Sequence, residues 1–187
     1  MGSVELTLVK KVPVKFALVA VLLLAGSYWY WRSRPSLHDV RQSIFSGKQT
    51  FDAFVSAQTA TAQRLHWRRQ QGQSSGLLNS YDQDSPVMVL PAQAQQIQAL
   101  LQRPTSYAWR YKHRCLVDYG VLLRFRSSQG IVRVALCFKC NELGIFDGEN
   151  DSAARINTKD VFDPSRKQLL AIVKSIYPTD AEIQALK

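Results

Sequence analysis

The chain has 187 residues, of which 46% are hydrophobic and 20% are charged, and its formal net charge is +10 at pH 7. This composition excludes a disordered chain, and the length suits one globular domain with an appendage. The positive charge favours an anionic membrane surface or an acidic partner. Nucleic acid is the least favoured partner, because the N-terminal sequence described next predicts a membrane anchor. The polyanion nearest to an anchored protein is the bilayer itself.

An apolar run near the N-terminus predicts a transmembrane helix. Residues Val12–Trp31, VPVKFALVAVLLLAGSYWYW, contain Lys15 as their one charge. Twenty helical residues cover the hydrocarbon core of a bilayer, which is roughly 30 Å thick. A cleaved signal peptide is the alternative, but cleavage after Ser27 would leave the aromatic residues Tyr28–Trp31 as an exposed N-terminus. We therefore predict a retained anchor.

The charges around this run set the expected orientation. Lys10 and Lys11 precede it and Arg32 and Arg34 follow it, so the positive charges on its two sides are nearly balanced. Lysines before a short first span favour a cytoplasmic location for residues 1–11 and export of the C-terminal part. Ser27 stands where the lipobox of a lipoprotein carries the acylated cysteine. Lipid attachment at this position is therefore not predicted.

Residues 36–72 are predicted to form a helical membrane-proximal region. Ser36 resembles the N-cap of a first helix, and Ser46–Gly47 predicts a break after it. A second helix is predicted to carry six residues at helical spacing on one face: Phe51, Phe54, Val55, Gln58, Ala62 and Leu65. Three arginines surround Trp67 near its end and are interpreted as a solvated face or a lipid contact: Arg64, Arg68 and Arg69. Polar turn formers then predict a linker at residues 73–84.

The strongest pattern predicts an antiparallel hairpin within a compact domain at residues 85–187. CLVDYGVLLRFR and IVRVALCFKC alternate apolar and polar residues on the two sides of the turn SSQG. The four-residue loop Ser127–Gly130 pairs Arg126 with Ile131, and in this register every apolar residue lies opposite another. The other face is expected to be a solvent-exposed basic surface formed by Arg124, Arg126, Arg133 and Lys139.

Helices are predicted on both sides of the hairpin. One begins at Pro91, another at Asp163, and Thr179 and Glu182 form a capping box for a last short helix. We therefore predict an α+β fold with an antiparallel β-hairpin, to which Leu143–Phe146 is a candidate third strand. Helices flank this hairpin, and a single N-terminal transmembrane helix precedes it.

Three interpretations compete for Cys115, Cys137 and Cys140. A redox pair of Cys137 and Cys140 normally begins a helix, whereas this C-x-x-C ends a strand, in which residues three apart point to opposite faces. A zinc site would use His113 with the three cysteines, but the sequence lacks the glycine-assisted turn of a zinc knuckle. We favour a structural disulfide between Cys115 and Cys140, which the register places on one face and diagonal to each other.

No motif nominates an active site. The sequence contains no G-x-S-x-G, no P-loop and no H-E-x-x-H, and its histidines His38, His66 and His113 are scattered. We predict no catalytic residue, no cofactor and, apart from the zinc alternative, no metal ligand. Whether the protein is an enzyme is left open, with a non-catalytic role favoured.

Three segments carry a resemblance to known proteins: CLVDYGVLLRF, VRVALCFKC and IYPTDAEIQAL. Through them the region from about Pro86 to Lys187 resembles a group of small bacterial exported or lipid-anchored proteins without established activity. The resemblance implies bacterial origin and export. Together with the predicted anchor, it implies a single-pass protein of the bacterial inner membrane with its C-terminal domain in the periplasm.

The expected function is that of a non-catalytic interaction or accessory domain of the bacterial envelope. Its expected partners are the bilayer, through residues 12–31, and an unidentified protein. Two alternatives stay open: a thiol–disulfide oxidoreductase that uses Cys137 and Cys140, and a zinc-stabilised binding module.

Overall fold

The computed structural model describes residues 22–30, 34–67, 78–109, 117–149 and 157–187. The chain divides into two units, Met1–Arg34 and Pro35–Lys187. The compact unit therefore begins at Pro35, whereas the sequence placed the start of the compact domain at residue 85.

The predicted transmembrane helix at Val12–Trp31 is not found. Among the described residues, no helix is both long enough and apolar enough to cross a membrane. The described part of this segment, residues 22–30, is helical, but nine residues rise only about 14 Å. The other residues of the predicted span lie outside the described ranges.

The second unit begins with a capped helical turn, as the sequence predicted. Helix α1, Leu37–Asp39, continues as a single π-helical segment, Val40–Ile44. Ser36 accepts a hydrogen bond from the Asp39 backbone N–H, and the Asp39 carboxylate accepts one from the Ser36 backbone N–H at 2.6 Å. The break after this turn has backbone angles of φ 54° at Ser46 and φ 139° at Gly47.

The predicted second helix is shorter than expected. Helix α2 is Lys48–Val55, and the residues after it form strand β1, Thr59–Trp67. The Gln58 backbone N–H donates to the Arg126 carbonyl at 3.0 Å, which brings the chain into the sheet. The helical assignment of residues 36–72 is therefore wrong at β1, where β-branched threonines favour a strand.

The sheet is larger than the predicted hairpin. Its further strands are β2 (Tyr81–Gln83), β3 (Val87–Met88), β4 (Val121–Ser127), β5 (Gly130–Cys137), β6 (Glu142–Asp147) and β7 (Asn157–Val161). Six strands follow one another in the order β2-β1-β4-β5-β6-β7, β3 also pairs with β1, and all of the pairings are antiparallel. Strand β2 lies within the region that was predicted as a linker, residues 73–84.

The predicted register of the hairpin is confirmed. Arg126 pairs with Ile131, Phe125 with Val132, Leu123 with Val134, and Val121 with Leu136. The side chains of the last three pairs are buried in the main hydrophobic cluster, together with residues of the helices. The candidate third strand is also confirmed, as β6.

The helices pack on one face of the sheet. They are α2, α3 (Pro91–Leu101), α4 (Arg166–Ile176) and the short α5 (Ala181–Ala185). The opposite face is not bare, because a second cluster buries Leu122, Ala135 and Phe146 with Tyr81 and Tyr119. The α+β class is therefore confirmed, but the central sheet is covered on both faces.

Candidate functional site: a cleft beside the cysteine turn

One end of the sheet opens into a cleft of about 550 Å³. The end of β1, the residues just before β4, the turn between β5 and β6, and helix α5 form its walls. The lining residues are Arg64, Leu65, His66, Trp67, Asp118, Tyr119, Gly120, Phe138, Lys139, Glu182, Ile183 and Leu186. This volume lies within the range of roughly 300–1,000 Å³ that ligand pockets occupy.

A buried arginine joins the sheet to the C-terminal helix. Arg64 donates from Nε to the Asp180 carboxylate at 2.7 Å, and from Nη2 to the Glu182 carboxylate at 2.7 Å. Its Nη1 donates to the Gly120 carbonyl at 2.6 Å. The guanidinium can therefore fix α5 against β1 and form one wall of the cleft.

Asp180 has two structural roles at this wall. It is the N-cap of α5, where its carboxylate accepts a hydrogen bond from the Ile183 backbone N–H at 2.9 Å. Burial acts to raise the pKa of Asp180, but the Ile183 N–H and the Arg64 charge outweigh burial, and the pKa is lowered. The predicted capping box of Thr179 and Glu182 is thus replaced by an Asp180 cap.

A second ion pair, between Lys139 and Asp118, also lines the cleft. Lys139 Nζ donates to the Asp118 carboxylate at 2.5 Å, and this hydrogen bond is the main reason why the pKa of Lys139 is raised. The Lys139 side chain is 70% exposed. An exposed pair of this kind contributes at most about 1 kcal/mol to stability, so Lys139 remains available to a ligand.

The C-x-x-C motif forms the turn beside this ion pair. Strand β5 ends at Cys137 and β6 begins at Glu142, with Asn141 in the left-handed region at φ 56°. Cys137 is a buried free thiol, whereas Cys140 is disulfide-bonded. His113 and Cys115 lie outside the described residues, so the pairing of Cys115 with Cys140 stays a prediction.

The sequence predicted that the side chains of Cys137 and Cys140 point to opposite faces of a strand, and the structure does not show this. Cys137 and Cys140 are both buried in the second cluster. The alternation of a strand stops at Cys137, and the turn after it brings Cys140 back to the same side. Burial raises the pKa of the Cys137 thiol and is the largest effect on it. Hydrogen bonds from the backbone N–H groups of Asp118, Cys140 and Lys139 to the sulfur act in the opposite direction and lower this pKa, but by less.

The described part of the chain contains no group of three His, Cys, Asp or Glu residues that could hold a metal ion. Two members of the predicted zinc set, Cys137 and Cys140, lie together in the turn, and the other two are not described. Backbone N–H donors at this turn favour a thiolate at Cys137, but burial outweighs them.

The predicted basic surface is wrong in part. Arg133 is completely buried, with its guanidinium 5.7 Å from the centre of the Phe146 ring. Arg124 is half-buried and donates to side chains of β1 and β2, through Gln63 at 2.7 Å and Gln83 at 2.9 Å. The prediction failed because the second cluster, which covers this face, is contributed partly by β1 and β2.

The sequence analysis missed the Arg64 wall. Arg64 was interpreted as part of a solvated or lipid-contacting helix end, but it lies on a strand. Its partner Asp180 is 116 positions away in the sequence. The one available signal is that Arg64 continues the alternation of Ala60 and Ala62, which face the helical layer.

Comparison with known proteins adds nothing to these observations. No family model matches the chain, and no similar curated protein or solved structure was found.

Proposed function

We propose that this protein is an extracytoplasmic, non-catalytic binding domain whose cleft holds a short segment of a partner protein. The observation that carries the proposal is the arrangement of charge in the cleft. Arg64 is neutralised by Asp180 and Glu182, and Lys139 by Asp118. Together these pairs give the walls of the cleft both signs of charge.

A polypeptide suits such a cleft better than a uniformly charged ligand does. The rim offers one ammonium group, on Lys139, and one exposed carboxylate, on Glu182, while Trp67 and Leu186 supply partly buried apolar surface. A peptide carries amide donors, carbonyl acceptors and apolar side chains together. Nucleic acid would meet the carboxylates of Asp118 and Glu182, which repel phosphate.

The state of the cysteines supports an oxidising compartment. Disulfides persist in extracellular and periplasmic proteins and are rare in the cytosol. The disulfide at Cys140 therefore agrees with the export that the resemblance to small bacterial exported proteins implies. A location at the bacterial envelope, with this unit in the periplasm, is part of the proposal.

The alternative of a thiol–disulfide oxidoreductase fits less well. A redox C-x-x-C cycles between a dithiol and a bond that joins its own two cysteines, whereas here Cys137 is free while Cys140 is bonded elsewhere. A zinc-stabilised module would require Cys140 as a thiolate.

Selection of short random peptides on the immobilised protein tests the binding function. We expect selected peptides to bind in the cleft, and Lys139→Glu to weaken their binding about tenfold, a loss of about 1.4 kcal/mol. The matched control is Lys48→Glu. Lys48 is 76% exposed and also paired with an aspartate, Asp52, but it lies on α2 outside the cleft.

Equal binding of the peptides to the wild type and to both variants would contradict the proposal. So would a weakening by Lys48→Glu as large as that by Lys139→Glu. Circular dichroism of each variant checks that the fold is retained.

We further propose that the N-terminal unit contacts a lipid surface. In helical residues 22–30 the exposed large apolar side chains are Leu22, Leu23, Leu24, Tyr28, Trp29 and Tyr30. Tyrosine and tryptophan favour the membrane interface. Flotation with anionic vesicles should therefore be lost in part in Trp29→Ser, and unchanged in Met88→Ser, which removes an exposed apolar side chain of β3. Equal flotation of both variants would contradict this contact.

A further inference from the structure

The C-x-x-C turn between β5 and β6 holds one free thiol and one disulfide-bonded cysteine. Cys137 is free and Cys140, three positions later, is disulfide-bonded. Both are buried in one cluster, and the Cys140 backbone N–H donates to the Cys137 sulfur. We propose that this turn is a thiol–disulfide exchange site, at which Cys137 replaces the present partner of Cys140.

The reaction conserves the number of thiols and disulfides. The Cys137 thiolate attacks Sγ of Cys140, the Cys137–Cys140 bond forms, and the bond between Cys140 and its present partner breaks. The partner sulfur leaves as a thiolate and takes up one proton, which balances the proton that Cys137 released. No oxidant or reductant is consumed. Cys115 is the predicted leaving group.

The surroundings of Cys137 make this exchange slow at neutral pH. Burial raises the pKa of the thiol, and the Asp118 carboxylate adds to that effect. Among the described residues, Tyr81 and Lys139 also interact electrostatically with Cys137. Because only the thiolate attacks, the exchange rate rises about tenfold per pH unit below the thiol pKa.

The exchange would also change the cleft, a step that rests on the proposed binding function. Phe138 and Lys139 lie between the two cysteines and line the cleft. A bond between Cys137 and Cys140 requires their Cβ atoms to come within about 3.8 Å. Tightening the turn in this way redirects Phe138 and Lys139, and with them the ion pair to Asp118. The new disulfide is therefore expected to lower peptide affinity.

Trypsin offers a direct test, because it places the three cysteines on separate peptides. Cleavage after lysine and arginine yields Cys115–Arg124, Val134–Lys139 and Cys140–Arg155. The oxidised full-length protein is incubated at neutral and at mildly alkaline pH. It is then acidified, its free thiols are alkylated with N-ethylmaleimide, and it is digested without reduction for mass spectrometry.

We expect the linked pair Val134–Lys139 with Cys140–Arg155 to accumulate faster at the higher pH, while the thiol of Cys115–Arg124 becomes alkylated. Cys137→Ala is the control and should keep the original bond under all conditions. If Cys137 is alkylated and the original bond persists at every pH, the proposal is refuted. It is also refuted if the reduced protein binds zinc and reoxidation never yields the Cys137–Cys140 bond.

Peptide binding to each disulfide form separates this inference from the proposed function. Loss of affinity in the Cys137–Cys140 form supports both. Exchange with unchanged affinity refutes the effect on the cleft alone. Exchange in a protein that selects no cleft-binding peptide leaves the thiol chemistry standing and refutes the binding function.

Discussion

Replacing Arg64 by methionine tests how the C-terminal helix is held to the sheet. Methionine keeps a long flexible side chain but removes the guanidinium and its bonds to Asp180, Glu182 and the Gly120 carbonyl. Only 9% of the Arg64 side chain is exposed, although the residue lines the cleft. The variant leaves the Asp180 carboxylate partly buried beside α5 without its positive partner.

The three contacts contribute unequally to stability. The Glu182 side chain is 78% exposed, and its pair with Arg64 contributes at most about 1 kcal/mol. The Asp180 side chain is 23% exposed, and hydrogen bonds to charged groups contribute about 1.5–3 kcal/mol each. Methionine avoids part of the cost of desolvating a guanidinium. We therefore expect Arg64→Met to lower the free energy of unfolding by about 2–3 kcal/mol.

Urea unfolding followed by circular dichroism measures this loss, and Glu182→Gln is the matched control, with an expected loss below about 1 kcal/mol. The pKa of Asp180 is lowered in the folded state. Its contribution is thus complete above the unfolded pKa of about 3.9 and disappears as the pH falls through the folded value. This acid-dependent loss should shrink in Arg64→Met. An Arg64→Met protein as stable as Glu182→Gln would refute the structural role of Arg64.

Three further predictions concern stability and use the same unfolding assay. Cys140→Ser should lower the free energy of unfolding by on the order of 3 kcal/mol, because it removes a disulfide, and Cys137→Ala should lower it by less. Equal losses in the two variants would contradict the assignment of Cys137 as the free thiol. Arg133→Glu should lower the free energy of unfolding by about 3–5 kcal/mol, because it buries an unpaired carboxylate. The same change at Arg126, which is exposed, should lower it by less than about 1 kcal/mol, and similar losses in the two variants would mean that Arg133 is not buried. Phe54→Ala should lose about 3–5 kcal/mol, since its ring packs within 4.8 Å of Phe45 and 4.7 Å of Phe125 between centroids, and a smaller loss would contradict this packing.

The hairpin was predictable because its signals are local. Alternation fixes which side chains share a face, and the length of the loop after Ser127 fixes the register, so both could be read from adjacent residues. Pro91 and the break at Ser46–Gly47 are equally local, since they act through their own backbone angles. The structure confirms each of them.

Strand β1 was mispredicted because two patterns overlap in one segment. Phe51 and Phe54 belong to α2, and Ala62 and Leu65 happen to continue their helical spacing across the end of the helix at Val55. The strand is stabilised by pairing with β4 on one side and with β2 and β3 on the other. Those contacts are long-range, and a single sequence does not reveal them.

The same omission explains the errors on the second face of the sheet. Without β1, the face carrying Arg124 and Arg133 had no neighbours and was taken as solvated. With β1 in place, Leu65 and Tyr81 join a cluster that covers Arg133. The disposition of Cys137 and Cys140 was missed for a different reason, since strand geometry was extended beyond the last strand residue.

Asp118 connects the cleft to the cysteine turn. Its carboxylate binds Lys139 on the cleft wall, while its backbone N–H donates to the Cys137 sulfur. A ligand that draws Lys139 away leaves the Asp118 carboxylate unpaired beside that sulfur, and the added negative potential disfavours the Cys137 thiolate. Ligand binding should therefore slow the exchange at Cys140. The coupling is reciprocal. If the form with the Cys137–Cys140 bond binds the ligand less tightly, the ligand in turn lowers the population of that form.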